Sequence, residues 1–383
     1  MAEPRVALVH DWLTGMRGGE KALLEFCRMF PKAKVYTLLW NRGTVHPKIE
    51  QRIARTSFLQ RLPRASSAYR LYLPLFPRAI RSLSIKDADL VISSSHAVAK
   101  GVDIPSGVPH VSYVHTPMRY LWDETNSYFR FGPGRRWKRV GLKLISPYLR
   151  RFDLASSETV GHFIANSETV RRRINRLYQR DATVIHPPVD TDFFRPASEP
   201  ATGNYYLVVS SLEPYKRIEL AIDAFRRLGH PLWVAGSGSL RASLQRAAGE
   251  NVRFLGHVPG RGLRQLYQNC RALIFPGMED FGIVPVEAQA CGKPVVCYGK
   301  GGATESVIDG ETGVHFLSQE PEALIQAVEK LERGCWDSRL IRENSLRFSV
   351  SCFHDRMEAF LKSRLSLNLP PRHNAENRRA APR

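Results

Sequence analysis

The chain has 383 residues, of which 43% are hydrophobic and 24% are charged. This length suits two domains of roughly 150–200 residues each, and the composition excludes a largely disordered chain. No apolar run approaches the roughly 20 residues of a membrane-spanning helix, and the N-terminus opens into a strand without a signal-peptide pattern. The six cysteines show no C-x-x-C or zinc spacing, so we expect buried, reduced thiols and a cytoplasmic protein.

Positive charge is concentrated in the first half of the chain. The net charge is +20, and residues 1–190 carry 31 Lys/Arg against 15 Asp/Glu, whereas residues 191–383 carry 25 against 21. The densest stretch, residues 130–151, contains no acid and interleaves basic residues with apolar ones and with Trp137. This pattern favours a helix that rests on anionic lipid, with residues 70–78 as a second contact. A solvated basic face with an internal packing stripe is the alternative.

Short apolar segments alternate with helical ones along the first half. Strands are predicted at residues 5–9, 34–39, 89–93, 110–114 and 162–166. A helix over residues 20–29 is predicted to follow the glycine pair Gly18–Gly19 after the first strand. Such alternation predicts a parallel sheet that is covered by helices on both faces.

The second half repeats this alternation after a linker. The proline-rich residues 186–196 and the small, polar residues 199–204 are the best linker candidates. Strands are predicted at residues 205–210, 231–235, 252–255, 272–275 and 294–297. Helices are predicted at residues 218–228, 284–290 and 351–365. The polar, basic tail of residues 368–383 is expected to be disordered.

Residues 276–292 carry two carboxylates, Glu279 and Glu287, eight residues apart and on either side of Gly282. They lie where a buried strand gives way to a helix that is entered through Pro285. Backbone N–H groups and the positive helix end at such a turn can bind phosphate, and carboxylates accept hydrogen bonds from sugar hydroxyls. The segment therefore predicts a nucleotide-sugar site. The alternative is a surface strand–loop–helix with ordinary acidic residues.

Five further motifs accompany this acidic pair, in order along nearly the whole chain. They are Gly18–Gly19–Glu20–Lys21, the stretch from Tyr113 to Trp122, Glu213–Pro214–Tyr215–Lys216–Arg217, Gly236–Ser237–Gly238 and Gly301–Gly302–Ala303–Thr304–Glu305. With the E-x7-E segment they resemble the retaining GT-B glycosyltransferases of family 4. The resemblance implies an α/β fold of the GT-B class, in which two Rossmann-like doubly wound domains face a central cleft.

The same resemblance implies the domain boundaries. Residues 1–187 would form an N-terminal Rossmann-like acceptor domain, and residues 188–350 a C-terminal Rossmann-like domain that binds the nucleotide-sugar donor. Residues 351–367 would form a helix that crosses back to the first domain. Residues 368–383 would follow as the basic tail.

The donor site that the resemblance implies lies in the second domain. Lys216 would bind the diphosphate, Glu279 the hydroxyls of the transferred sugar and Glu287 the ribose hydroxyls. The backbone amides expected beside the sugar and the diphosphate are those of Phe281, Gly282 and Ile283. The family usually has an arginine where this chain has Ser211. Arg217 is a candidate for the missing charge, and a solvent-facing Arg217 is the alternative.

In the first domain, the resemblance makes His115 the residue that reaches the donor sugar, so that His115, Lys216 and Glu279 form the catalytic set. A lone histidine is more often structural, which is the alternative for His115. Gly18 and Gly19 would form the loop near the donor phosphate. The candidate acceptor-binding residues are Asp11, Arg119 and Trp122.

Two Asp-x-Asp strings fit the metal motif of the other major glycosyltransferase fold. Asp87–Ala88–Asp89 immediately precedes a strand and Asp190–Thr191–Asp192 lies in the linker, so both are predicted to be turn acids. With positive charge supplied by Lys216, and by Arg217 if it faces the site, no metal and no cofactor is expected.

Several motifs, such as His10–Asp11–Trp12–Leu13, look most like those of bacterial mannosyltransferases of lipopolysaccharide or exopolysaccharide synthesis. They favour GDP-mannose as donor and a lipid-linked or glycan acceptor, at the inner face of the plasma membrane. A UDP-sugar donor is the first alternative, and a GT-B sugar-nucleotide epimerase the second. A nucleic-acid-binding protein would explain the charge but neither the acidic pair nor the glycine loops, and no such module is present in the sequence.

Overall fold

The computed structural model describes residues 4–122, 135–198 and 203–367, and for residues 135–139 it describes the backbone only. The described residues form two compact units. The first unit contains residues 4–122, 135–188 and 353–367, and the second contains residues 189–198 and 203–352. The predicted tail, residues 368–383, and the linker residues 199–202 lie outside the described residues.

A seven-stranded parallel sheet forms the centre of the first unit. Its strands are β1 (Val6–His10), β2 (Lys34–Thr37), β3 (Ile53–Thr56), β4 (Leu90–Ser95), β5 (His110–Val114), β6 (His162–Ala165) and β7 (Ala182–Val184). Their order in the sheet is β3-β2-β1-β4-β5-β6-β7. The α-helices described in this unit are Gly18–Met29, Pro47–Glu50, Ala65–Ala68, Phe76–Arg81, Arg119–Trp122, Arg135–Glu158 and Glu168–Tyr178.

Both faces of this sheet are buried under helices. Val6 and Leu8 of β1 belong to one hydrophobic cluster, whereas Ala7 and Val9 belong to the cluster on the other side, as the two-residue period of a strand requires. The last helix, Val350–Leu365, contributes Phe353, Met357, Phe360 and Leu361 to the first of these clusters. Residues 353–367 therefore belong to the core of the first unit.

The second unit contains a six-stranded parallel sheet. Its strands are β8 (Tyr206–Val209), β9 (Leu232–Ala235), β10 (Val252–Gly256), β11 (Leu273–Phe275), β12 (Val295–Tyr298) and β13 (Gly313–Phe316), in the order β10-β9-β8-β11-β12-β13. The α-helices described in it are Ile218–Leu228, Arg241–Ala247, Gly260–Asn269, Ile283–Ala290, Ala303–Ser306, Pro321–Arg333 and Ser338–Leu346. Two parallel sheets, each covered by helices, confirm the predicted fold class of two Rossmann-like doubly wound domains.

No helix in the described parts of the chain is both long and apolar enough to cross a membrane. All six cysteines are free thiols. Four of them are buried, namely Cys27, Cys270, Cys291 and Cys297, whereas Cys335 is exposed and Cys352 is half-buried.

Candidate functional site

Each sheet has one point where the strand order reverses direction, and doubly wound sheets bind ligands beside the carboxyl ends of the strands at that point. In the first sheet the reversal lies between β1 and β4, and in the second between β8 and β11. The segments that follow these four strands therefore form the candidate functional regions of the two units.

In the second unit, Lys216 and Glu279 meet beside this reversal. Lys216 ends the short 3-10 turn that follows β8, Glu279 lies in the loop after β11, and the two side chains form an ion pair. Both are largely buried, with 19% and 16% of their side chains exposed. They line a small pocket whose other walls come from the ends of β8 and β11 and from Ile218. A cation and a carboxylate are thus held together where a phosphate and a sugar hydroxyl could bind.

Glycines shape the loop that carries Glu279. Gly282 has a φ of +91°, which favours glycine, and it leads directly into the helix Ile283–Ala290. The N–H of Gly302 donates to the carbonyl oxygen of Glu279 at 2.8 Å. A Cβ on Gly302 would lie 2.1 Å from the carbonyl oxygen of Asp280, so only glycine allows the two segments to approach this closely. The second loop therefore fixes the backbone around Glu279.

Glu287, the second carboxylate of the pair, is buried with 2% of its surface exposed. The Tyr267 hydroxyl donates to its Oε2 at 2.9 Å, and Tyr267 is itself fully buried. The ribose contact stays a prediction, and Tyr267 is a further residue that orients the carboxylate. Sequence reasoning missed Tyr267 because a tyrosine in the helix before a buried strand is not distinguishable from a core aromatic residue.

Arg217 adopts a left-handed backbone conformation, with a φ of 56°, at the start of the helix Ile218–Leu228. Its Nη2 donates to the carbonyl oxygen of Gln319 at 3.2 Å, and its Nε lies 3.5 Å from Glu219 Oε1. The guanidinium therefore lies against these two groups, and its contact with the donor phosphate stays a prediction. Ser211, at the position where the family usually has arginine, is exposed.

In the first unit, His10, Ser94 and His115 meet at the carboxyl ends of β1, β4 and β5. Ser94 Oγ lies 2.8 Å from His115 Nε2 and 3.1 Å from His10 Nδ1. Burial, followed by the neighbouring His96, lowers the pKa of His115 to about 3, so its imidazole is neutral at pH 7. A Cβ on Gly19 would lie 3.3 Å from the His10 ring and 3.5 Å from His115 Nε2. Gly19 and His115 are therefore close together, and both glycines of the predicted loop belong to the first turn of the helix Gly18–Met29.

Asp11 has a structural environment that does not favour the predicted contact with an acceptor. Its side chain is fully buried. Its two carboxylate oxygens accept hydrogen bonds from four consecutive backbone N–H groups, those of residues 96–99, at 2.6–2.9 Å. A carboxylate that accepts four such bonds is saturated, so we correct the assignment. Asp11 holds the chain that leaves β4 and does not line the site.

Trp122 also has a hydrogen-bond partner within the first unit. Its indole N–H donates to Asp153 Oδ2 at 2.8 Å, and Asp153 also pairs with the buried Lys100. This geometry anchors Trp122 to the helix Arg135–Glu158 and does not favour the predicted acceptor role. Arg119 is buried, with 6% of its surface exposed, and its acceptor role stays a prediction.

The two Asp-x-Asp strings have other partners. Asp87 and Asp89 both pair with Arg5, and Asp190 Oδ1 accepts the N–H of Phe193 at 2.9 Å in a local turn. The Asp190 contact is that of a turn acid, as predicted, whereas Asp87 and Asp89 form ion pairs with a residue that is distant in the sequence. The described part of the chain contains no group of three or more His, Cys, Asp or Glu side chains placed to hold a metal ion.

Glu20, in the first turn of the helix Gly18–Met29, provides a pH-dependent test of this region. Its Oε2 accepts the N–H of Arg17 at 3.0 Å, and burial raises its pKa to about 7. Between the ordinary glutamate pKa of 4.5 and the raised pKa of about 7, the folded protein keeps a proton that the unfolded chain releases. The free energy of unfolding should therefore fall as pH rises through this window, by at most about 1.4 kcal/mol per pH unit.

Glu20→Gln keeps the capping geometry but does not titrate, so its stability should lack this fall. Urea unfolding of both proteins at pH 5 and pH 8 measures the difference. Parallel pH profiles for the wild type and the variant would contradict the shifted pKa of Glu20.

Comparison with known proteins identifies the family. The model "Glycosyltransferase Family 4" matches residues 16–193, and the model "Glycosyl transferases group 1" matches residues 189–345. The O-antigen chain mannosyltransferase C of Escherichia coli is 29% identical over 226 residues, which are 54% of this chain and 59% of that protein. D-inositol 3-phosphate glycosyltransferase of Mycobacterium leprae is 33% identical over 194 residues, 44% of this chain and 45% of that protein. The matches thus span about half the length of these curated relatives.

Solved structures share the fold over most of the chain. Anabaena HepE in complex with UDP-glucose is 19% identical and has a TM-score of 0.67, and the match covers 94% of this chain and 99% of that one. Sucrose-phosphate synthase from Thermosynechococcus elongatus is 17% identical, with a TM-score of 0.68 and the same coverage. Because the two family models together span residues 16–345 and both sheets have the expected topology, the chain belongs to the GT-B glycosyltransferases of family 4.

Proposed function

We propose that this glycosyltransferase moves mannose from GDP-mannose, with retention of configuration, onto a lipid-linked or glycan acceptor of a cell-surface polysaccharide. The observation that carries the proposal is the Lys216–Glu279 pair beside the strand reversal of the second sheet. A cation beside a carboxylate matches the two ends of the reacting bond, which are a diphosphate leaving group and a hydroxylated sugar.

Departure of the nucleoside diphosphate is the main electrostatic problem of the reaction. As the glycosidic C–O bond breaks, negative charge grows on the diphosphate, and Lys216 together with the backbone amides of residues 281–283 stabilises it. Glu279 accepts hydrogen bonds from the sugar hydroxyls. For the first unit, the proposal assigns His115 to contact with the donor sugar. Lys216 supplies positive charge at the leaving group, so the proposal includes no metal ion.

Retention follows when the acceptor attacks from the face that the leaving group departs from. Among the described residues that line the small pocket of the second unit, Glu279 is the one carboxylate, and we assign it to the sugar hydroxyls and not to a nucleophilic role. A phosphate oxygen of the leaving group then takes the proton of the acceptor hydroxyl. Exclusion of water protects the donor from hydrolysis.

The choice of mannose is supported by the E. coli relative, whose name is that of a mannosyltransferase. A UDP-sugar is the second candidate, because a solved structure with this fold is a complex with UDP-glucose. A panel of nucleotide sugars separates the two. Thermal stabilisation and slow hydrolysis with GDP-mannose, but not with UDP-sugars, would support the proposal. Preference for a UDP-sugar would replace the donor. Isomerised sugar from donor alone would indicate an epimerase.

We further propose that the first unit binds anionic lipid, as a peripheral protein at the inner face of the plasma membrane. On the helix Arg135–Glu158, the side chains of Val140, Leu144 and Tyr148 follow one another at four-residue spacing and are 50%, 77% and 50% exposed. Lys143 and Arg151 on the same helix are exposed as well. An apolar stripe with flanking cations is the pattern of a helix that lies on an anionic membrane.

A neighbouring segment extends this surface. Leu71 and Leu75 are 73% and 39% exposed, and they flank Tyr72 and Leu73, which pack against the same hydrophobic cluster as Leu142 and Leu149 of the long helix. Exposed leucines on two segments that share one core are costly in water. Contact with lipid acyl chains would remove that cost.

Cosedimentation with vesicles measures this binding. The wild type should bind phosphatidylglycerol vesicles at least tenfold more tightly than phosphatidylcholine vesicles, and salt should weaken the binding. Leu144→Glu should lower affinity for the anionic vesicles at least fivefold, because it puts a negative charge into the apolar stripe. Leu340→Glu, at an exposed helix position of the second unit, is the matched control and should bind like the wild type. Equal binding by both variants would contradict the proposal.

A further inference from the structure

One buried histidine of the first unit has no place in the mechanism above. His10, at the end of β1, is 0% exposed, and its Nε2 has no hydrogen-bond partner in the described parts of the chain. A buried polar atom without a partner costs about 1–3 kcal/mol, so it calls for an explanation. The other ring nitrogen, Nδ1, lies 3.1 Å from Ser94 Oγ, which in turn lies 2.8 Å from His115 Nε2. A continuous chain of two hydrogen bonds therefore joins His10 to His115.

The protons of this chain can be counted. Burial lowers the pKa of His10 well below its usual value and the pKa of His115 to about 3, so both rings are neutral at pH 7 and each carries one N–H. The Ser94 hydroxyl has a single hydrogen, which it donates to one ring while it accepts from the other. In one arrangement, His10 Nδ1–H donates to Ser94 Oγ and the Ser94 hydroxyl donates to His115 Nε2. In the other, both hydrogen bonds run in the opposite direction.

The surroundings of His10 select between these two arrangements. Its ring packs against Gly19, in the first turn of the helix Gly18–Met29, where the helix dipole is positive. A lone pair on Nε2 is favoured beside that positive end, whereas an N–H there would be repelled and would also be a buried donor without an acceptor. His10 therefore carries its proton on Nδ1 and donates to Ser94. Ser94 then donates to His115 Nε2, and His115 keeps its own proton on Nδ1.

We propose that His10 and Ser94 are positioning residues that hold His115 in the tautomer with its N–H on Nδ1, so that this nitrogen acts as a hydrogen-bond donor to the sugar. The inference rests on the proposed contact of His115 with the donor sugar. Ser94 fixes the ring orientation through Nε2, and His10 fixes the direction of the Ser94 hydroxyl. Neither residue needs to contact the substrate.

Strands β4 and β5 provide a matched control. Ser93 Oγ lies 2.9 Å from His110 Nε2, and both residues are buried. Ser93 precedes Ser94 on β4, so its side chain points to the opposite face of the sheet. Ser93→Ala therefore removes the same kind of buried Ser–His hydrogen bond from the same strand, without touching His115.

Steady-state kinetics with the active donor test the role of the hydrogen bonds that join His10, Ser94 and His115. Ser94→Ala should lower kcat at least tenfold with less than a threefold change in KM. His10→Gln, whose amide reaches the Nε2 position but not Ser94, should lower kcat by a similar factor. His10→Asn, whose amide can donate from the Nδ1 position, should keep at least a third of the wild-type kcat. Ser93→Ala should leave kcat within twofold of the wild type. Equal losses for His10→Asn and His10→Gln, or for Ser94→Ala and Ser93→Ala, would overturn the proposal.

A second readout does not depend on activity. In nitrogen NMR spectra of the protein labelled on histidine, His115 Nε2 should resonate as an unprotonated ring nitrogen and Nδ1 as a protonated one. The His115→Gln spectrum assigns the signals. Ser94→Ala should shift this balance, and Ser93→Ala should not. A wild-type His115 protonated on Nε2 would contradict the inference. Normal tautomer signals without response to any nucleotide sugar would instead contradict the proposed function.

Discussion

Lys216→Ala should lower kcat for sugar transfer by roughly 10²–10³-fold, which is the effect of removing one preorganised group that stabilises charge in a transition state. Lys216 is the cation of the ion pair beside the strand reversal and is only 19% exposed, so surrounding water cannot readily replace it. Its loss should also weaken binding of the free nucleoside diphosphate. Kinetics with the active donor and calorimetric titration with the diphosphate measure the two effects.

Glu279→Ala tests the other half of the pair. It should lower kcat by a similar factor but leave diphosphate binding within about threefold, because Lys216 remains. Lys330→Ala is the matched control. Lys330 Nζ lies 3.4 Å from Asp309 Oδ2 in an exposed ion pair of the same unit. Such pairs contribute little to stability. Near-wild-type turnover by folded Lys216→Ala or Glu279→Ala would overturn the assignment of both residues.

The strands that the sequence predicted and those that it missed differ in their place in the sheet. All ten predicted strands are present, with bounds shifted by at most two residues. The three missed strands are β3, β7 and β13, and each is the edge of its sheet. An edge strand has one neighbour, and β3 and β7 are accordingly less buried and less apolar. Arg55 within β3 and Thr183 within β7, both exposed, show this directly. This reason does not apply to β13, which is largely buried.

The positions of the candidate site residues were predictable to the extent that a motif coincides with the end of a strand. Lys216, Glu279 and His115 follow β8, β11 and β5, and the topology alone places such positions at a carboxyl edge of a sheet. The direction of a side chain was not predictable in this way. Asp11 also follows a strand, yet its carboxylate turns inward to four backbone amides.

Contacts between residues that are far apart along the chain could not be predicted from the sequence. The hydrogen bond from Tyr267 to Glu287 depends on how two elements pack. The hydrogen bonds that link His10 to His115 through Ser94 depend on three. A single sequence shows these residues only as members of a buried helix or strand. Their roles emerge when the distances between the side chains are known.

Gly302→Ala should lower transfer by about 10²-fold, although residue 302 carries no chemical group of its own. A Cβ at this position would lie 2.1 Å from the Asp280 carbonyl oxygen and 2.2 Å from the Phe281 Cα. These are backbone atoms, so the loop must move by roughly 1 Å, and a displacement of that size in a catalytic group can cost 10²-fold. The Gly302 N–H also donates to the carbonyl oxygen of Glu279. A displaced loop therefore shifts the backbone that carries the Glu279 carboxylate. Overpacking should in addition destabilise the fold by about 1–3 kcal/mol.

Gly310→Ala separates loop displacement from loss of stability. Gly310 has a φ of +83° with no atom within 4 Å of an added Cβ, so alanine strains the backbone there by about 1 kcal/mol without a steric clash. Transfer by the folded Gly310→Ala protein should therefore equal that of the wild type. Activity per folded molecule, with the folded fraction taken from urea unfolding, compares the two variants. Equal activities for Gly302→Ala and Gly310→Ala would mean that the backbone around Glu279 does not control the reaction.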